Sequence, residues 1–345
     1  VSSWWRKEIV LRAGSVLVAL WLAWAIVVGT TADSLVLSNP DEALSWQGDS
    51  SPALIALARQ KLAGSDPQAE TAATRDLAER ALLSSPLSER ALSVLGYLAE
   101  LDGDQDKADG LMTLAADRTR RDGFVQVWSF FRLARLGHFD KSLEHADALL
   151  RSRSYLQEQI TPTLLAFAMD TEAKAALVRL LAENPPWRSW YLSQLAGQTD
   201  NPGIAYAILA DLKGSAHPPN TNELNAYLQN LIKAGRFEQA YLTWINFLPE
   251  ERRRDIRFAY NGDFEYAPSG LPFDWIIGSI SGASTDIVAT ADGEGHVVRI
   301  EFSNRRVRYR HLSKLLMLPP GSYQLTGMAR ALDLENERGL IWRLS

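Results

Sequence analysis

This sequence predicts a multidomain chain of the α+β class: an N-terminal transmembrane helix, a helical solenoid and a C-terminal antiparallel β-sandwich. Three observations point there. Residues 13–32 carry no formal charge. Between Pro52 and Pro249 apolar residues recur every three or four positions. After Arg257 the spacing shortens to two, between clusters of glycine, proline and asparagine. The expected boundaries are 1–12 for a cytoplasmic N-terminus, 13–32 for the anchor and 33–51 for a linker. Helical repeats follow over 52–250 and the sandwich over 251–345.

The anchor reads AGSVLVALWLAWAIVVGTTA, Ala13 to Ala32, and includes Trp21 and Trp24. A helix crossing the hydrocarbon core needs about 20 residues at 1.5 Å each, which this run supplies. Arg6, Lys7 and Arg12 precede it, and Asp33 and Asp41 follow. The excess of basic residues on the N-terminal side predicts a single-pass inner-membrane protein with a cytoplasmic N-terminus and a periplasmic body. A cleaved signal peptide ending near Thr30-Thr31-Ala32 is the alternative reading of the same stretch.

The helical middle contains three segments that align: AELDGDQDKADGLMTLA, RLARLGHFDKSLEHADALL and LIKAGRFEQAYLTWINFL. Each has a glycine between two helices and a small residue early in the second helix. Gly103 and Gly137 are 34 residues apart, as are Ala108 and Ser142. With Leu92, Leu95, Gly96, Ala99, Met112 and Ala115, and with Ala78, Ala81 and Pro86 before them, this pattern resembles tetratricopeptide repeats. The next copy departs at Gln126, Ser129 and Phe130, and the copy around Ala234, Gly235, Ala240 and Phe247 is out of strict register. A further degenerate hairpin is expected between Pro185 and Pro219. The resemblance implies stacked helix pairs that hold a protein partner, or that act only as a rigid spacer. Trp187 and Trp190, like His138 and His145, read as packing or surface residues.

In the last ninety residues HVVRIEFS, RVRYRHL, GSYQLTGMAR and GLIWRLS alternate apolar and polar residues, which predicts strands. NGDFE (Asn261 to Glu265), FDW (Phe273 to Trp275), HVVRIEF, LPPGSYQL and RGLIWRL follow in an order that resembles jelly-roll carbohydrate-binding modules. That resemblance implies an eight-strand, two-sheet sandwich with sugars stacked on aromatic faces. Tyr260, Tyr266 and Tyr309 are the glycan-binding candidates, while Phe264 and Trp275 read as core. It also implies a structural calcium near the first strand, for which Asp263 and Glu265 are the available ligands. About seven strands are countable, so a truncated domain or a different closure is expected.

Composition excludes several function classes. With no cysteine there is no disulfide, thiolate zinc site or cysteine nucleophile. A net charge of −5 supplies no overall basic field for nucleic acid. Walker, dinucleotide-binding and HExxH patterns are absent, and GSISG (Gly278 to Gly282) has the wrong spacing for a nucleophile elbow. No catalytic residue is nominated. Arg252 to Arg254 and Arg305 to His311 could meet an anionic polysaccharide or lipid headgroup.

Together with the anchor, the chain resembles membrane-anchored repeat proteins of bacterial envelope and exopolysaccharide systems. That resemblance implies a non-enzymatic scaffold in polysaccharide assembly or export, with a protein partner on the repeats and glycan on the β-domain. A pure protein–protein scaffold and an envelope-glycan hydrolase are the alternatives.

Overall fold

The computed structural model describes residues 19, 21–64, 70–119, 121–197, 201–290, 293–303, 305, 307–334 and 339–343. The chain divides into two compact units, Val1–Glu223 and Leu224–Ser345, the division falling inside a helix.

The first unit is helical. After α1, described over residues 21–35, come α2 (Pro40–Trp46), α3 (Ser51–Leu62), α4 (Thr71–Ser84), α5 (Glu89–Leu101), α6 (Gln105–Arg118), α7 (Gly123–Arg135) and α8 (Phe139–Ser152). A 3-10 turn at Ser154–Leu156 leads into α9 (Gln157–Phe167), α10 (Thr171–Ala182), α11 (Arg188–Ala196) and α12 (Pro202–Lys213). α3 packs on α4, α5 on α6, α7 on α8, α9 on α10 and α11 on α12. Polar caps start many of these helices: the side chains of Ser88, Asp104, Asp122 and Asp170 accept first-turn N–H groups that have no intrahelical acceptor. Leu54, Ala58, Ala78, Ala81, Val94 and Leu98 form one continuous core, the alanines letting the paired backbones approach.

The three segments aligned in the sequence fold alike. Gly103, Gly137 and Gly235 each sit at positive φ, 82°, 74° and 74°. After each glycine, the next residue donates its N–H to the carbonyl five positions back: Asp104 to Ala99, His138 to Leu133 and Arg236 to Leu231, all at 2.9 Å. This left-handed C-terminal cap satisfies carbonyls that the helix end would otherwise leave bare. The small residues that follow, Ala108, Ser142 and Ala240, are fully buried. Helical-repeat architecture of this kind is therefore present.

The transmembrane expectation is corrected. Among the described residues no helix is long and apolar enough to cross a membrane. Asp33 and Ser34 lie in the last turn of α1. The single-pass inner-membrane placement therefore has no support in the described chain. Arg6, Lys7 and Arg12, with residues 13–18 and 20 of the expected span, lie outside the described residues; Trp21 and Trp24 are exposed.

The second unit begins with most of α13 (Thr221–Lys233), then α14 (Phe237–Phe247) and the short α15 (Glu250–Arg253). Among its described residues there are two small antiparallel sheets: β1 (Ile276–Ile277) with β4 (Leu312–Ser313), and β2 (Ala283–Ala289) with β3 (His296–Phe302). The jelly-roll expectation is thus also corrected. HVVRIEF is a strand, paired with an Ala283–Ala289 strand that the sequence reading did not anticipate. Among the described residues of RVRYRHL, 307–312, only Leu312 enters a ladder, and residues 321–330 and 339–343 enter none. Alternation predicts a strand only where a neighbouring edge completes its hydrogen bonds and a second layer covers its apolar face. Here Met328 and Ile341 stay exposed.

Candidate partner-binding face

The residues nominated for sugar and calcium are dispersed: Tyr260 and Tyr266 border a packed polar clasp, Asp263 and Glu265 are exposed, and Tyr309 packs elsewhere. Asn261 and Asp274 are both buried. Asp274 Oδ2 accepts from Ser269 N and Oγ, each at 2.8 Å, and its Oδ1 accepts from Trp275 N at 2.7 Å and Asn261 Nδ2 at 3.3 Å. Asn261 also donates to Tyr266 O and accepts from Tyr266 N, and its carbonyl takes Trp275 Nε1 at 2.6 Å. NGDFE and FDW are therefore the two sides of a polar clasp. Phe264 and Trp275 stack across it at 4.9 Å.

Tyr260 is 3% exposed, packed edge-on to Trp244 and stacked on Tyr266. Tyr266 carries the Arg252 guanidinium over its ring and donates its hydroxyl to Asp255. Tyr309 bonds Thr285 through its hydroxyl and packs against Phe302 and His311. Each of the three rings is engaged by neighbours. Glu265 receives His296 N and Nδ1 at 3.0 and 3.1 Å, and those bonds hold its carboxyl below the ordinary value. Among the described residues no group of three or more His, Asp or Glu is placed to hold an ion.

A different set of residues forms a continuous face in the first unit, on the leading helices of successive pairs, α3, α5 and α7. Arg59 on α3 pairs with Asp122 at 2.5 Å, donates to Ser93 Oγ at 3.2 Å and lies over the Phe124 ring. Asp122 also caps α7 by accepting from Phe124 N, so the same carboxylate fixes the helix start and the arginine. Phe124 meets Tyr97 of α5 edge-on at 5.5 Å. One turn on, Trp128 Nε1 donates to Glu100 of α5, whose other oxygen takes Arg135 at 3.1 Å. Arg132 makes a two-point pair with Asp109 of α6, both bonds 2.7 Å.

Glu100 thus holds Trp128, and Arg59 and Tyr97 flank Phe124, which remains 38% exposed, while Tyr97 and Trp128 are half-buried. Fixed aromatic and arginine side chains with little left to order are the residue types that dominate protein–protein binding energy. The sequence reading missed this set. The available signal was the spacing of Phe124 and Trp128, one helical turn apart and out of phase with buried Val125, Ser129 and Phe130.

No protein-family model matches this chain, and no curated protein matches it. Among solved structures, the crystal structure of PilW, described as a widely conserved type IV pilus biogenesis factor, aligns with 18% identity and a TM-score of 0.30. The alignment covers 64% of this chain and 96% of that one. A likeness at this level carries no argument for function.

Proposed function

We propose that this chain is a non-enzymatic scaffold that holds a protein partner on its helical repeats, through the face built by α3, α5 and α7. The observation that carries this reading is the row formed by Arg59, Tyr97, Phe124, Trp128 and Arg135. Arg59 is tied to Asp122 and Ser93, Trp128 and Arg135 are tied to Glu100, and Phe124 is left 38% exposed beside half-buried Tyr97 and Trp128. Burying part of such surface contributes about 25 cal/mol per Å² without further ordering of the rings. The tested reading is a protein–protein one. Of the residues considered for sugar, Tyr260 is buried, while Tyr266 and Tyr309 are half-buried with their hydroxyls bonded to Asp255 and Thr285.

Selection of peptides from a random displayed library against the purified chain tests this. Enriched peptides should lose at least tenfold in affinity for the Tyr97→Ala/Trp128→Ala double variant and keep it for Leu83→Ala, an exposed change at the far end of α4. Helical content should be equal in all three. No enrichment, or equal affinity across the variants, would sink the proposal.

A further inference from the structure

The amine of Lys314 is the most unusual ionisable group in the second unit. Its Nζ is shielded from solvent and has no hydrogen-bond partner. It lies 4.9 Å from the centre of the Trp275 ring and 5.5 Å from that of Tyr260. Ring faces attract an ammonium but offer none of the three acceptors it needs. The nearby Asp274 cannot supply them, because both of its oxygens are committed to Ser269, Trp275 and Asn261. Lys314 directly follows β4 and Trp275 directly precedes β1, so the nest closes one end of the β1–β4 ladder. The ladder is extended on either side by Gly278 N to His311 O at 2.7 Å and Leu315 N to Pro272 O at 3.0 Å.

We infer that Lys314 is a proton-controlled latch: as a neutral amine it seats between Tyr260 and Trp275 and holds the ladder shut, and as an ammonium it favours withdrawal to water and opening of the ladder. Burial pushes its pKa down from 10.5 to about 8, against the pull of Asp274 and Asp263. The other ionisable neighbour is Tyr260, whose phenol is pushed up, first by burial. Arg252 and Asp255 complete the charged groups around that ring.

The sign follows from linkage. The open form keeps an ordinary lysine and binds the proton more tightly, so closure is strongest at high pH. It weakens as pH falls from 10.5 towards 8 and levels off below.

Amide hydrogen exchange with millisecond mixing, corrected for intrinsic rates, reads the latch directly at Gly278 and Leu315. Their opening constants should rise roughly tenfold between pH 9.5 and 7, allowing for solvent screening of a partly exposed side chain. In Lys314→Met the constants should be flat with pH. A carbon-13 titration of the Lys314 side chain in the unmodified protein should have its midpoint near 8. A midpoint at an ordinary lysine value, flat opening constants in the unmodified chain, or an unchanged pH dependence in Lys314→Met would each overturn the latch.

Discussion

The helical repeats and the loop-and-ladder region after Arg257 solve the same problem by opposite means. In the repeats, order comes from one device used again and again: a capped helix, a glycine in the left-handed region and a small residue where two helices meet. Between Arg257 and Lys314 nothing repeats. Two buried polar side chains, Asn261 and Asp274, take the place of regular backbone ladders by satisfying N–H and C=O groups of a chain with little secondary structure. Asn261 and Phe264 even hold positive φ, 53° and 60°, which side-chain-bearing residues seldom adopt. A repeated design spreads its stability over many contacts, whereas a single clasp concentrates it.

The sharpest way to break that comparison is Asp274→Ala. It leaves the Ser269 and Trp275 backbone N–H groups, the Ser269 hydroxyl and one Asn261 donor without their acceptor in a buried place. The expected cost is about 3–5 kcal/mol. Fluorescence and near-ultraviolet dichroism from Trp244 and Trp275 should report early unfolding, while helical dichroism from the repeats persists. Simultaneous loss of both signals at the same denaturant concentration would show that the clasp does not concentrate stability as argued.

The repeats contain one counterexample, and it gives the second prediction. Arg188 and Glu223 are buried together, with two 2.9 Å bonds between them. The remaining guanidinium donors reach the carbonyls of Leu181, His217 and Pro218. Burial pushes the Glu223 carboxyl up, but the bonds from Arg188, Asn220 N and Ser189 outweigh it and hold the group below 4.5. Its contribution is therefore complete above the unfolded value and is lost as pH falls through the lower folded one. Glu223→Gln should cost about 2–4 kcal/mol at neutral pH by leaving Arg188 buried without its counter-charge. The stability difference from the unmodified protein should shrink steadily below pH 4. A difference that stays constant down to pH 2 would remove Glu223 from the acid response.

The same contrast explains what could be seen in the sequence. Ala108 and Ser142, and Gly103 and Gly137, announced themselves because a repeated spacing is evidence that accumulates over copies. Asn261 and Asp274 were visible as parts of NGDFE and FDW, but nothing in the sequence states that an asparagine and an aspartate 13 positions apart share a hydrogen bond. The motif was consequently assigned to a sandwich and to sugar. Alternation in GSYQLTGMAR and GLIWRLS misled for a related reason: period two encodes side-chain direction, and a strand also needs an edge to pair with. At the helical end, apolar length suggested a membrane span, but no helix among the described residues is long and apolar enough to cross a membrane. The aromatic face on α5 and α7 went unnoticed because it depends on contacts between copies, Tyr97 with Phe124 and Glu100 with Trp128.

The smallest expected effect sharpens the comparison most, because it asks whether the three glycine turns are copies of one another in energy as well as in shape. A methyl group built on Gly103, Gly137 or Gly235 meets nothing within 4 Å, so substitution adds no clash. What remains is the backbone cost of holding an L-residue at φ of 74–82°, about 1–2 kcal/mol. Gly103→Ala, Gly137→Ala and Gly235→Ala should therefore destabilise by nearly equal amounts, although Gly235 is out of register with the other two. Asn in place of each glycine should recover part of the loss, since its side chain tolerates the left-handed region. Urea midpoints for the six variants measure this directly. A loss at Gly235 several times that at Gly103 would mean that the late copy only resembles the others in outline, and that its turn is held by interactions outside the repeated pattern.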